Sequence, residues 1–315
     1  MSSPTKIIDS HLHIWATEEE SKSTYPYVSI DQTPPPSLIN NASPKALIEQ
    51  MQSANVDGTL IVQPINHKFD HSYVIHAMKE YPNLFKGMLL YDPNCNDQEK
   101  TIDTLEDLVL KGFVGVRFNP YLWDRDSDAD DSEDGDRYMS KGYGLEVYKR
   151  CGELNIPVGI MCFKGLDLHY NDIIELLTKS PKTTMILDHF GFTTLGESEN
   201  TNKSDLQWEQ LLSLAKYENV IIKISALFRV AGGHDPYPYD RVKKERFDVL
   251  LETFGKDRLM FGTDFPFVLN EDGGYKGTVD LVKSWTDSDE SVQNAVMYGT
   301  AERLFGVWGS VVDKK

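Results

Sequence analysis

The sequence predicts a single (β/α)₈ barrel with long loops at the C-terminal ends of its strands. Two observations carry that prediction: eight short apolar runs recur along the 315 residues, and amphipathic, helix-like stretches lie between them. The runs are continuous rather than alternating, the habit of parallel strands covered on both faces. A third observation disfavours a doubly wound nucleotide-binding sheet. That fold needs a glycine-rich loop after its first strand, and the residues there are His11-Leu12-His13-Ile14-Trp15.

In chain order the predicted strands are Lys6–His13, Gly58–Gln63, Lys86–Tyr91, Val114–Asn119, Pro157–Phe163, Thr183–His189, Val220–Ala226 and Arg258–Asp264. Helical patterning falls on Ser43–Ala54, Thr101–Lys111, Tyr143–Leu154, Leu168–Ser180 and Arg241–Phe254. Ser43-Pro44 is a cap followed by proline at the first helical position. Long connections follow the first, fourth and seventh strands: Ala16–Asn41, Tyr121–Gly142 and Phe228–Asp240. Loops there build the active sites of barrel enzymes. No repeat or linker marks a second domain, so residues 1–315 read as one domain with a core of about residues 6–307.

The formal charge of −17, from 32 Lys+Arg and 49 Asp+Glu, argues against nucleic acid and anionic membranes as main partners. No run approaches the ~18 apolar residues of a membrane span. Cys95, Cys151 and Cys162 are too few and scattered for a disulfide framework and read as reduced thiols. The polar start Met1–Lys6 does not resemble a signal peptide, and a cytoplasmic protein is expected. No oligomeric state is specified.

Chemistry concentrates at strand ends. Alternation puts His11 and His13 on one side of the first strand, with Asp9 two residues earlier. Asp264 ends an apolar run where an unpaired carboxylate would be costly, and His189 ends the sixth strand. The first and last strands are neighbours in a closed barrel, so His11, His13 and Asp264 should converge, with His189 facing them across the mouth. Arg117 and Arg229 each suit a substrate carboxylate, a structural salt bridge being the equal alternative. Tyr91, Tyr121, Trp123 and Lys223 are weaker candidates. His67, Asp70 and His71 have helical metal spacing but read more simply as an exposed helix surface. Cys162 reads as a buried thiol rather than a nucleophile.

Together His11-x-His13, Asp188-His189-Phe190-Gly191 and Gly262-Thr263-Asp264-Phe265-Pro266 resemble the amidohydrolase superfamily. The closest resemblance is to its amidohydrolase-related group of sugar-acid and pyrone-dicarboxylate lactonases, and it runs from about Ile7 to Phe305. It implies a hydrolase that opens a small carboxylated or polyhydroxylated lactone by water attack, with Asp264 as general base. His11, His13 and His189 would orient the carbonyl and stabilise the oxyanion. The substrate would be a small anionic or sugar acid.

The metal question is sharpened by what the resemblance lacks. Mononuclear members hold zinc with the first-strand pair, a fifth-strand histidine and the last-strand aspartate. Here the fifth strand ends Met161-Cys162-Phe163, and Arg117 stands in the region of the lysine that binuclear members carboxylate. A two-metal site is disfavoured and metal-independent chemistry is placed first. A single divalent ion such as zinc on His11, His13 and Asp264 is the alternative, with His189 joining only if the strand register is off by one. The competing functions are a metal-dependent decarboxylase of aromatic or muconate-type acids and an inactive barrel serving as a binding scaffold.

Much of the charge has an address. Residues 124–136 hold eight acidic residues and one arginine, a net −7. Asp126-x-Asp128-x-Asp130 hints at a calcium loop, but Asp131 stands where that motif needs glycine. A solvated loop insertion beside the catalytic face is expected.

Overall fold

The computed structural model describes residues 5–95, 97–123, 139–196 and 202–309. The acidic segment 124–136 lies outside them. Eight parallel strands form one sheet in sequential order: β1 Ile8–Leu12, β2 Gly58–Val62, β3 Phe85–Leu90, β4 Phe113–Phe118, β5 Val158–Ile160, β6 Met185–Leu187, β7 Val220–Ile224 and β8 Leu259–Phe261. Each lies at a predicted apolar run, and helices alternate with them to give the (β/α)₈ barrel. Helices Pro44–Ala54, Gln98–Leu110, Gly142–Glu153 and Tyr170–Lys179 match the predicted segments to within three residues at either end. Arg241–Phe254 is not one regular helix: a π-helical segment, Lys243–Phe247, interrupts it. Among the described residues no helix is long and apolar enough to cross a membrane.

Two apolar clusters divide the interior. The larger packs outward-facing strand residues against the helices. The smaller fills the barrel floor with Ile8, Leu60, Met88, Ile186, Ile221 and Met260, closed from below by Ala301, Phe305 and Trp308. The Trp308 indole donates to the Thr59 carbonyl at 3.1 Å. A Cβ on Gly58 would meet that ring at 2.4 Å, so the plug requires glycine there.

The barrel closes between β8 and β1. The Asp264 amide donates to the His11 carbonyl at 2.8 Å, and the His13 amide to the Phe265 carbonyl at 2.7 Å. Ser10 Oγ donates to the Phe261 carbonyl at 2.5 Å. Asp9 braces the same seam, accepting from the Thr263 amide at 2.9 Å and the Thr263 hydroxyl at 2.6 Å. Its carboxyl is fully buried, and burial raises its pKa to about 6 against the pull of those bonds. Asp9 therefore does not share the face of His11 and His13. The β1 register slips between Asp9 and Leu12, so Ile8 joins the floor while Leu12 faces the helices.

At Gly262 a Cβ would lie 2.8 Å from His11 Cβ and 2.9 Å from the His11 amide nitrogen. Backbone at that distance cannot yield without widening the seam. Gly262→Ala is expected to cost about 1–3 kcal/mol and to separate His11 from Asp264. Denaturant unfolding beside a kinetic assay checks both, and wild-type stability would refute the close approach.

Candidate active site

Above the apolar floor lies an ionic layer. Asp188 follows β6, and its carboxylate meets Lys223 Nζ at 3.4 Å, Arg117 Nη2 at 3.0 Å and His11 Nδ1 at 3.1 Å. All four side chains are at least nine-tenths buried. Burial alone would raise the Asp188 pKa, but its cationic neighbours, Lys223 foremost, hold it well below the usual carboxylate range. Lys223 is pushed down by desolvation, partly opposed by Asp188. Desolvation and the Lys223 charge lower His11 to about 3, so its imidazole is neutral.

One layer higher, His13, His189 and Asp264 reach the barrel mouth. Asp264 Oδ1 lies 3.6 Å from His13 Nε2 and 3.9 Å from both His11 Nε2 and His189 Nε2. Its other oxygen accepts from Arg229 Nε at 3.0 Å. Burial raises the Asp264 pKa to about 6, opposed mainly by Arg229. The backbone is bent to achieve this convergence. Asp264 sits at φ 63°, and His189, Phe190, Gly191 and Phe192 form a left-handed run at φ 50°, 54°, 63° and 58°. Such conformations cost non-glycine residues about 1–2 kcal/mol each, and they cluster at functional sites.

The hydrogen bonds assign tautomers. His13 Nδ1 faces the Val62 carbonyl at 2.8 Å. A carbonyl only accepts, so Nδ1 carries the proton and Nε2 presents a lone pair to the site. Burial holds His13 well below its ordinary pKa, and hence neutral. His189 Nδ1 pairs with Ser225 Oγ at 2.8 Å, a partner able to donate or accept. His11 Nδ1 has two claimants: Asp188, which would take a proton from it, and Lys223 Nζ at 3.1 Å, which would give one.

His13, His189 and Asp264 form the floor of a cavity of about 700 Å³, lined also by Arg117, Asn119, Tyr121 and Gln63. Arg117, expected to hold a substrate carboxylate, both borders the cavity and pairs with Asp188. Arg229 likewise borders it while bonded to Asp264. Tyr121 lines the wall, its hydroxyl accepting from the Lys164 amide at 2.8 Å. Tyr91 does not reach the cavity: it packs on Phe118 and Trp123, at ring separations of 5.0 and 5.6 Å. His67 and His71 are buried rather than exposed. Each ties a loop, His67 Nε2 accepting from the Ala16 amide and His71 Nε2 from the Leu90 amide. Cys162 is a buried free thiol whose pKa burial drives up. Asp188 carries more of the site than sequence reasoning assigned it; a carboxylate ending the apolar run Met185–Leu187 was the available signal.

The fit to a metal rests on the donors. His11, His189 and Asp264 offer ligand atoms all within 4.8 Å of one another, and buried His11 Nε2 has no hydrogen-bond partner among the described residues. That set would hold a single divalent ion, with His13 Nε2 beside it. His189 reaches it from the sixth strand as numbered, with no shift of register.

The sequence profile of the amidohydrolase family matches residues 8–307. The chain belongs to the amidohydrolase family. L-fucono-1,5-lactonase of Burkholderia multivorans is 30% identical to this chain over 128 residues, which cover 39% of this chain and 43% of that protein. The alignment thus spans less than half of the lactonase. An amidohydrolase from Burkholderia multivorans superposes with a TM-score of 0.73 at 19% identity, covering 96% of this chain and 99% of that one. A Pseudomonas putida protein named for 2-pyrone-4,6-dicarboxylic acid hydrolysis gives 0.71 at 20%, over 96% and 98%. At these identities the two superpositions establish the shared barrel.

Lys223 stands behind His11, where it would act on any cation bound at Nε2. Its ammonium would repel one and, where it rather than Asp188 bonds His11 Nδ1, would place the imidazole proton on Nε2. Lys223→Met leaves Nδ1–H to Asp188 and frees the Nε2 lone pair. Zinc affinity, read by competition with a chromogenic chelator, is expected to rise at least ~10-fold, the scale of groups behind metal ligands. Unchanged affinity in a folded variant would remove Lys223 from this role.

Proposed function

We propose that the chain is a lactone hydrolase acting on the ring-closed ester of a small carboxylated or polyhydroxylated acid. The observation that carries this reading is the Asp264 carboxylate. It is buried, faces three imidazole nitrogens at 3.6–3.9 Å and an arginine at 3.0 Å, and lies at the floor of a cavity. The lactonase likeness over 128 residues points the same way.

Asp264 Oδ1 would take a proton from the attacking water while His13 Nε2, an acceptor by its tautomer, helps orient that water. As the carbonyl becomes tetrahedral, its oxygen gains charge. Arg229 and Arg117 are the fixed cations at the cavity, and His189 can donate from Nε2 when Ser225 donates to its Nδ1. This refines the roles expected of the histidines: neutral His13 cannot donate to an oxyanion. Collapse of the intermediate breaks the ring C–O bond, and protonated Asp264 returns its proton to the leaving alkoxide. A carboxyl poised near 6 serves both directions of that transfer.

Three cations (Lys223, Arg117, Arg229) face two carboxylates (Asp188, Asp264) in the site. The surplus positive charge favours an anionic substrate and the developing oxyanion over a neutral amide. A divalent ion on His11, His189 and Asp264 would polarise the carbonyl and acidify the water. The buried cations Lys223 and Arg117 weigh against a tightly held ion, and the side chains suffice for each proton transfer.

Asp264→Asn is expected to lower kcat by about 10²–10⁴-fold with the melting temperature little changed. Near-wild-type turnover would refute the assignment. The base must be ionised, so kcat/KM of the metal-free enzyme should fall with acid below about pH 6, following the raised Asp264 pKa. A limb more than one unit lower would indicate another base, or an ion on the carboxylate.

Exhaustive chelation, checked by elemental analysis, is expected to leave lactone turnover intact. Loss of activity restored by zinc would transfer carbonyl polarisation to the ion.

A further inference from the structure

Most of the charge lining the cavity, Arg117, Arg229 and Asp264, lies at its floor, with Lys68 beyond. Its walls carry polar side chains such as Gln63, Asn119 and Tyr121, but a large apolar share stands with them: Trp15, Met161, Phe192 and Phe267 around the His–Asp cluster, and Ile65 and Phe163 toward the rim. The last two are 36% and 49% exposed, and Val28, which also borders the cavity, is 50% exposed. Large apolar side chains left in water where they converge on a cavity mark a surface that gains by being covered. A polyhydroxylated ring could bond Gln63, Asn119 or Tyr121, but it would leave these apolar side chains uncovered. A cavity of about 700 Å³ also falls within the range that encloses a drug-sized ligand.

We infer that the substrate is an amphipathic lactone: an ester carbonyl seated over Asp264, with an alkyl or aryl substituent running along the wall from Phe267 and Met161 to Ile65 and Phe163. The inference rests on the lactonase reading and narrows its substrate class from sugar acids to lactones with an apolar arm. The polar groups are placed to match. Arg117, Arg229, His13, His189 and Asp264 gather at the floor, where the ester reacts, and the stretch from Phe267 and Met161 to Ile65 and Phe163 offers chiefly dispersion and desolvation. The substituent covers side chains that water otherwise wets, so its binding energy grows with apolar area.

The test measures kcat/KM for δ-lactones from δ-valerolactone to δ-decalactone beside a six-carbon aldonolactone, and in parallel the binding of straight-chain alkanoates by calorimetry. Each added methylene is expected to raise kcat/KM and alkanoate affinity roughly 2–4-fold until the chain reaches the rim. Phe163→Ala and Ile65→Ser should flatten both series. A flat series, or preference for the aldonolactone, overturns the inference while leaving the lactonase reading in place. Failure to open any lactone, with alkanoate affinity still rising with length, removes the lactonase reading and keeps the apolar subsite. Alkanoate binding independent of length overturns the subsite whichever reaction the enzyme runs.

Discussion

The site depends on the seam where β8 meets β1. A barrel has no free edge only if its last strand pairs with its first, and here that pairing joins the residues of the candidate site. The Asp264 amide bonds the His11 carbonyl, and the His13 amide bonds the Phe265 carbonyl. Closing the barrel and setting Asp264 against the histidines are thus one event. Gly262 permits the approach, and Asp9 and Ser10 lock it from their own side chains. The slip in β1 register belongs to the same device. It lets Ile8 serve the apolar floor while His11 and His13 serve the mouth, which strict alternation would not allow.

Beneath the mouth, the ionic layer makes the site's electrostatics a property of the fold. Burying Lys223, Arg117 and Asp188 carries a desolvation cost that only close mutual contact offsets. Asp188 meets that condition with three partners within 3.4 Å. The layer is also lopsided, with two cations to one carboxylate. Asp264 above feels the layer through Arg117, which lowers its carboxyl, and Asp188, which raises it, while Arg229 is the main opponent of the desolvation. The carboxyl stays near 6 rather than climbing out of the working range of a base. Arg117 and Arg229 each keep one contact with a carboxylate and one face on the cavity. For these two residues the structural ion pair and a place on the cavity wall coexist.

The barrel was legible because buried parallel strands write themselves as unbroken apolar runs. The candidate site was legible because polar residues at the ends of those runs are conspicuous. What escaped were features decided by one residue of register or by tertiary packing. Nothing in Asp9-Ser10-His11-Leu12-His13 announces the slip that turns Asp9 away from the histidines. Tyr91, one residue past the end of β3, could face either way, and it went to the packing of Phe118 and Trp123. His67 and His71 carry helical spacing, yet the helix begins only at Ser72. Both rings are spent on backbone amides, His67 on that of Ala16 in the loop after β1 and His71 on that of Leu90 at the end of β3. The π-helical segment inside Arg241–Phe254 leaves no mark on the hydrophobic period.

Three consecutive strand exits share one local solution. After β6, β7 and β8 the chain turns through left-handed residues that are not glycine: His189 at φ 50°, Ala226 at φ 51° and Asp264 at φ 63°. Glycine would relieve the strain at each, but at two of the three it would remove the reacting group. The tighter turn stops the strand abruptly, so the side chain at the turn points across the mouth rather than continuing the alternation of the strand. Ala226 has no side chain to deliver. Its turn follows directly on Ser225, whose hydroxyl holds His189 Nδ1, and precedes the helix Leu227–Ala231 that carries Arg229. The strain thus places the Asp264 carboxylate and the His189 imidazole, with Ser225 and Arg229 beside them. Seam and ionic layer hold His189 and Asp264 against their own local preference.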